Sequence, residues 1–168
     1  MFRHLLTLSL PLLLFGIWAC QPLYQAPELV KEAIKAHGGT AYNNKRIEFD
    51  FRTYHLVLKH QDGQFSYQRS YRDSTGNQLV ETLTNSGFVR TLNGKRQTLD
   101  STQTRRYSQA VNSVAYFVLL PQKLSDPAVL ADYVGTSQID GQPYHKVRVR
   151  FRADGGGTDY QDTVFSWF

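Results

Sequence analysis

Glu48 and Asp50 stand two residues apart in a stretch where apolar and polar residues alternate. On an extended chain their carboxylates share one face about 7 Å apart, a separation at which paired carboxylates can divide acid and base roles. The same spacing on a solvated strand serves cross-strand pairing with arginine, and that is the reading adopted. His55 and His60 are five residues apart, which on one regular strand sets them on opposite faces, with no carboxylate at metal-ligand spacing. Only a convergence with His145 in space would make a metal site of them. His37 closes a short helical stretch, where the negative pole of a helix suits it better than the role of a base. The serines lack a Gly-x-Ser-x-Gly elbow. Asp154-Gly155-Gly156-Gly157-Thr158-Asp159 has neither EF-hand ligand spacing nor the Gly-Lys-Ser/Thr of a P-loop, so it reads as a hairpin turn. These residues predict no enzyme, no metal site and no cofactor; a hydrolase would have to rest on Glu48 or Asp50.

The one cysteine is better placed for chemistry. Met1 to Ala19 carries the three parts of an export signal: Arg3 beside the terminal amine, a nearly all-apolar Leu5–Ile17, and small Ala19 at the cleavage position. Between Arg3 and Gln21 the stretch is short of the roughly 20 apolar residues that span a bilayer, and Pro11 interrupts it. Ile17-Trp18-Ala19-Cys20 resembles the bacterial lipoprotein box, with Trp18 where a small residue is usual. The resemblance implies that the Cys20 thiol is alkylated by diacylglycerol and becomes the mature amino terminus. Two or more acyl chains then hold the protein, where a single one would bind marginally. Gln21 follows, with no acidic run, which by the same resemblance implies an outer-membrane anchor facing the periplasm. Residues 1–19 are thus expected as a signal peptide, 20–26 as a lipidated tether, and 27–168 as one domain.

Within that domain the spacing predicts a helix over Pro27–His37, stopped by Gly38-Gly39. Ile47, Phe49 and Phe51 then alternate with charged residues, while Tyr54, Leu56 and Leu58 take the opposite parity. A bulge at Arg52-Thr53 in one long bent strand would keep all six inward. Turn signals at Asp62-Gly63, Ser74–Asn77, Ser86-Gly87 and Asn93-Gly94 separate strands at Phe65–Tyr71, Gln78–Thr84, Phe88–Leu92 and Lys95–Leu99, an antiparallel meander. Asp100-Ser101 offers a cap to a helix whose apolar stripe is Tyr107, Ala110, Val111, Val114, Ala115 and Val118, ended by Leu120-Pro121. Strands follow at Tyr133–Ile139, Tyr144–Phe151 and Thr163–Phe168. Trp167 and Phe168 stop in mid-strand, from which missing partner strands are expected.

The order of parts resembles a family of bacterial lipoproteins related in architecture to the LolA/LolB carriers of lipoprotein sorting. Glu32 to Gly39, Ile47 to Arg52 and Tyr144 to Val149 carry the likeness. It implies a strongly curved antiparallel sheet, an incomplete β-barrel, covered by helices and holding acyl chains on its concave face. Composition agrees with a mainly β (α+β) domain: 41% hydrophobic and 13% aromatic residues exclude disorder, and one cysteine excludes a disulfide scaffold. A net charge of +5 is an ordinary solubility level, and with a periplasmic location no nucleic-acid partner is expected. Arg69, Arg72, Arg105, Arg106, Arg148, Arg150 and Arg152 are the residues that could form a basic patch. The expectation is a non-enzymatic, membrane-anchored lipoprotein that binds an apolar or amphiphilic ligand, a lipid or a lipidated protein. Phe49, Phe51, Phe65, Tyr67, Val114 and Val118 would form the wall. The alternative is a structural or assembly lipoprotein with a solid core that binds a protein partner through its sheet surface.

Overall fold

A computed structural model describes residues 24–154 and 160–168. The signal region, Cys20 and most of the Asp154–Asp159 turn lie outside the described residues.

Helix α1 (Ala26–Ala36) follows the extended residue Gln25, with Pro27 in its first turn. Val30 and Ala33, on the predicted stripe, are buried. His37 closes the helix as expected, its Nδ1 donating to the Ala33 carbonyl at 2.9 Å. Gly38 follows at φ 117°, a conformation glycine adopts at little cost. Ala26, the last residue of the expected tether, is already helical and only 3% exposed.

The predicted long bent strand is two strands. β1 (Arg46–Phe51) and β2 (Tyr54–Gln61) pair antiparallel, with Ile47 opposite Leu58, Phe49 opposite Leu56 and Phe51 opposite Tyr54. Arg52, at φ 58°, and Thr53 form the turn. Cross-strand partners point to the same face, so a two-residue hairpin brings all six apolar residues to one side without a bulge. The parity change was real; its cause was a reversal of the chain.

β3 (Gln64–Arg72), β4 (Gln78–Thr84), β5 (Gly87–Leu92) and β6 (Lys95–Arg96) complete a six-stranded sheet in sequence order. Asn93-Gly94 turns the chain with both residues at positive φ, as the dipeptide predicts. β6 is shorter than the expected Lys95–Leu99. Asp100 then caps α2 (Ser101–Val118): its carboxylate accepts from the Gln103 backbone N–H at 2.7 Å, and the Gln103 side chain accepts from the Asp100 N–H at 3.1 Å. After Leu119-Leu120-Pro121 the chain makes one 3-10 turn, Gln122–Ser125.

β7 (Val129–Ile139), β8 (Gln142–Phe151) and β9 (Val164–Trp167) form a second antiparallel sheet. β7 starts ahead of the predicted Tyr133 and is irregular between Tyr133 and Gly135. Phe168 extends β9, exchanging backbone bonds with His145 at 2.8 and 3.0 Å. The fold is therefore mainly β with two helices, but its strands divide between two sheets, neither closed into a barrel.

Each sheet receives one helix. Val111, Ala115 and Leu119 pack on Leu58 and Tyr67 of the first sheet, and Ala26 and Val30 of α1 pack on Val147 and Val149 of the second. Burial of each large aliphatic side chain contributes about 1.5–3 kcal/mol. Among the described residues no helix is long and apolar enough to cross a membrane.

Candidate ligand-binding site

The segment from Leu119 to Asp126, where α2 ends and the 3-10 turn follows, separates two cavities. On one side a groove of about 260 Å³ opens between α2 and the second sheet. Tyr116, Phe117 and Leu120 form its helical wall, with Val129, Phe151 and Val164 on the sheet side. The volume lies between the ~150 Å³ apolar cavity that accepts benzene and the ~300–1,000 Å³ of sites for drug-sized ligands. Phe117, 68% exposed, and Val164, 45% exposed, leave it open to solvent. On the other side a cavity of about 590 Å³ lies at the end of the first sheet, with a largely polar wall that includes His60, Tyr67, Gln122 and Asn43. Lys123 and Asp126 line both, joined by an ion pair at 3.1 Å.

The two spaces differ in chemistry. In the polar cavity His60 Nε2 and the Tyr67 hydroxyl share a hydrogen bond of 2.9 Å. Burial and the nearby Lys123 ammonium hold His60 below its ordinary pKa, so it is neutral at pH 7, and burial raises that of Tyr67. Gln122 Oε1 is buried there without a hydrogen-bond partner. In the groove the Tyr116 hydroxyl is buried and likewise unpartnered. Burial, assisted by the Asp126 carboxylate, pushes the Tyr116 pKa up to about 12, which keeps the phenol protonated. An unpaired buried polar atom costs about 1–3 kcal/mol.

The predicted wall residues are not gathered around one space. Phe49, Phe65 and Tyr67 pack with α2 in the core of the first sheet, so the concave surface beneath α2 is occupied by protein. Phe65 and Tyr67 also border the polar cavity. Phe51 is 43% exposed at the hairpin, Val114 is half-buried, Val118 is exposed, and none of the three lines either cavity. The groove is formed by a second stripe of α2, Gln109, Asn112, Ser113, Tyr116 and Phe117, which begins polar and turns apolar and is continued past the helix end by Leu120. Its signal in the sequence was Tyr116-Phe117 with Leu120, three large apolar residues outside the assigned stripe.

Two charged clusters complete the picture. Glu81 is fully buried between Arg69 and Arg90 on the first sheet. On the opposite, exposed face His55 Nδ1 meets Asp50 Oδ1 at 2.8 Å and Nε2 meets Glu48 Oε1 at 3.0 Å. The two carboxylates do share a face, and it is the hairpin that adds His55 to them. The Asp50 hydrogen bond raises the His55 pKa, while a hydrogen bond from Arg46 lowers that of Glu48. Ser70 lies opposite His55 in register, but both imidazole nitrogens are engaged by carboxylates, which leaves neither free to take a serine proton. Among the described residues no set of three or more His, Cys, Asp or Glu is placed to hold a metal ion. The seven arginines do not form one patch: Arg69 is buried on Glu81, and Arg148 and Arg150 both bind Asp132.

Comparison with known proteins gives a family and no further relative. Residues 9–168 match a family of unknown function, DUF6503, and the chain belongs to it. No curated protein and no solved structure matches it significantly.

Proposed function

We propose that this member of the DUF6503 family is a non-enzymatic envelope lipoprotein, tethered to the outer membrane through Cys20, that binds the apolar part of a lipid-like ligand. The groove between α2 and the second sheet carries the reading. It is apolar along Phe117, Leu120, Val129 and Phe151 and open at Phe117, and it lies where no core side chain fills the space. The ligand site therefore sits between a helix and a sheet, as the resemblance to the LolA/LolB carriers suggests, but against the smaller sheet. Binding rather than turnover is favoured because the His55 cluster is exposed and self-satisfied, and the depression of about 420 Å³ beside it, lined by Asp50, His55 and Ser70, is shallow and open to solvent. The groove suits a short acyl chain, since its volume is below that of drug-sized sites.

Displacement of a groove-bound apolar dye by octanoate tests the proposal. Saturable displacement, lost when Ser113→Trp fills the groove from the exposed side of α2, is the expected result. Absence of saturable dye or fatty-acid binding overturns it and leaves the assembly role, in which the sheet surface meets a protein partner. The exposed Phe165 and Trp167 on β9 are the observation that favours this second reading.

A further inference from the structure

We infer that the polar cavity at the end of the first sheet is a second binding site, one that takes a short uncharged carbohydrate. A ligand there needs nothing of the α2 groove, so the two sites stand independently. The volume of about 590 Å³ lies within the ~300–1,000 Å³ of small-molecule sites. Tyr42 and Phe65, both half-buried, bring aromatic rings to the wall. Phe65 is backed by Tyr67, with ring centroids 4.6 Å apart, and Tyr67 is fixed in turn by its 2.9 Å hydrogen bond to His60. The side of a sugar ring that carries C–H bonds is apolar and packs on aromatic rings, whose π faces are electron-rich.

Beside these rings stand side chains whose hydrogen-bonding capacity the fold does not use. Among the described residues the Asn43 and Gln64 amides, the Asp62 carboxylate and His60 Nδ1 have no hydrogen-bond partner. Asn43, Asp62 and Gln64 are exposed, so an entering ligand can reach them. Together they offer donors and acceptors, and a hydroxyl group is the function that answers both with one oxygen. Two neighbouring hydroxyls on a sugar can donate to the two oxygens of one carboxylate, which gives Asp62 its role. The charges on the wall select against ions. Lys123 is already engaged by Asp126 at 3.1 Å and His60 is neutral at pH 7, so an anion meets no unpaired cation. A cation drawn to Asp62 would share the cavity with the Lys123 ammonium. An apolar chain would leave all four polar groups without a partner.

The test follows the His60 ring protons of the full chain by NMR during titration with maltose, cellobiose and N,N′-diacetylchitobiose, with inorganic phosphate as the anionic probe. The expected result is a saturable shift with at least one disaccharide, at a Kd of about 1 mM or tighter, and none with phosphate. Maltose and cellobiose present hydroxyls alone and diacetylchitobiose adds acetamido groups, so the tightest of the three separates a plain glucan from an N-acetylated glycan. Asp62→Asn should weaken that sugar about tenfold, because a neutral amide replaces the charged acceptor. Asp62 sits at φ 49° in the Asp62-Gly63 turn, which Asn-Gly forms equally well, so the variant keeps the hairpin. Absence of a saturable shift with all three sugars overturns the inference, as does tighter binding of phosphate or a sugar affinity unchanged in Asp62→Asn. Dye displacement from the α2 groove by octanoate is read separately, so either site can fail while the other stands.

Discussion

Glu81 Oε2 accepts a hydrogen bond from Arg69 Nε at 2.7 Å, with none of the Glu81 side chain exposed. The two residues are direct partners across β3 and β4, and Arg90, the partner of Glu81 on β5, sits 3.6 Å from the other carboxylate oxygen. Aromatic faces complete the enclosure: Arg69 lies 4.7 Å over Tyr54, and Arg90 lies 3.9 Å over Tyr107 of α2. One carboxylate thus holds two guanidinium groups beneath the helix. Glu81→Leu leaves both cations buried without it and should cost about 3–5 kcal/mol, read as a lower urea midpoint. Replacing all three charges, Arg69→Met with Glu81→Leu and Arg90→Met, should recover most or all of the loss, because no charge then needs solvation. A single variant as stable as the unchanged protein would show that the carboxylate does not neutralise these arginines.

The hairpin at Arg52-Thr53 shows how far an alternation pattern reaches. Ile47, Phe49 and Phe51 at one parity and Tyr54, Leu56 and Leu58 at the other fit both a bulged strand and two strands joined by a two-residue turn. The sequence there lacks the Asn-Gly that marks Asn93-Gly94, and so the turn was not legible. Arg52 nonetheless adopts φ 58°, where a side chain costs about 1–2 kcal/mol relative to glycine. Arg52→Gly should therefore raise stability by about 0.5–1 kcal/mol after the entropy of glycine is allowed for. The readout is a higher denaturant midpoint at unchanged slope. A loss of stability would instead fit a continuous extended strand through Arg52.

The candidate site was legible only in part, for a physical reason. Inward-facing aromatics can line a cavity or fill a core, and periodicity cannot tell these apart. The choice was made by α2, whose Val111, Ala115 and Leu119 fill the first sheet's concave face around Tyr67. Its opposite stripe was hidden because Gln109, Asn112 and Ser113 look like a solvated face until Tyr116 and Phe117 are reached. Glu81, between Leu79 and Leu83, had the parity of a buried residue, but its neutralising partners are on two other strands. Leu119→Ala, at a fully buried position, should cost about 2–5 kcal/mol, whereas Phe51→Ala at the exposed hairpin should cost much less. Comparable losses at both would mean that Phe51 is packed as the sequence reading expected.

Asp100 and Gln103 bear on how firmly α2 is set between the sheets. Each side chain accepts a hydrogen bond from the other's backbone N–H, so the first turn loses two unpaired donors at once. Asp100→Ala should lower stability by about 0.5–2 kcal/mol, and Asp100→Ser should restore most of it. Because the groove begins at Gln109 on the same helix, dye affinity is expected to follow stability only weakly in Asp100→Ala. An unchanged denaturation midpoint in that variant would argue against the capping arrangement.

His55 and Glu48 make opposite demands on pH. The hydrogen bond to Asp50, more than the charge of either carboxylate, raises the His55 pKa above its ordinary 6.5 in the folded protein. The stabilisation is then complete below 6.5 and is lost as pH rises through the folded value. Glu48 is lowered from 4.5, chiefly by the Arg46 hydrogen bond, so its contribution is complete above 4.5 and is lost as pH falls through the lowered value. The two overlap fully only between those ordinary values, and the urea midpoint of the unchanged protein should exceed that of Asp50→Asn by more at pH 5.5 than at pH 8.5. Both partners are exposed, so the difference should shrink in 1 M salt. A direct check follows the His55 ring proton by NMR. Its titration should centre above 6.5 and move down in Asp50→Asn, because the amide cannot balance the imidazolium charge; a midpoint at or below 6.5 in the unchanged protein would remove the bridge from solution.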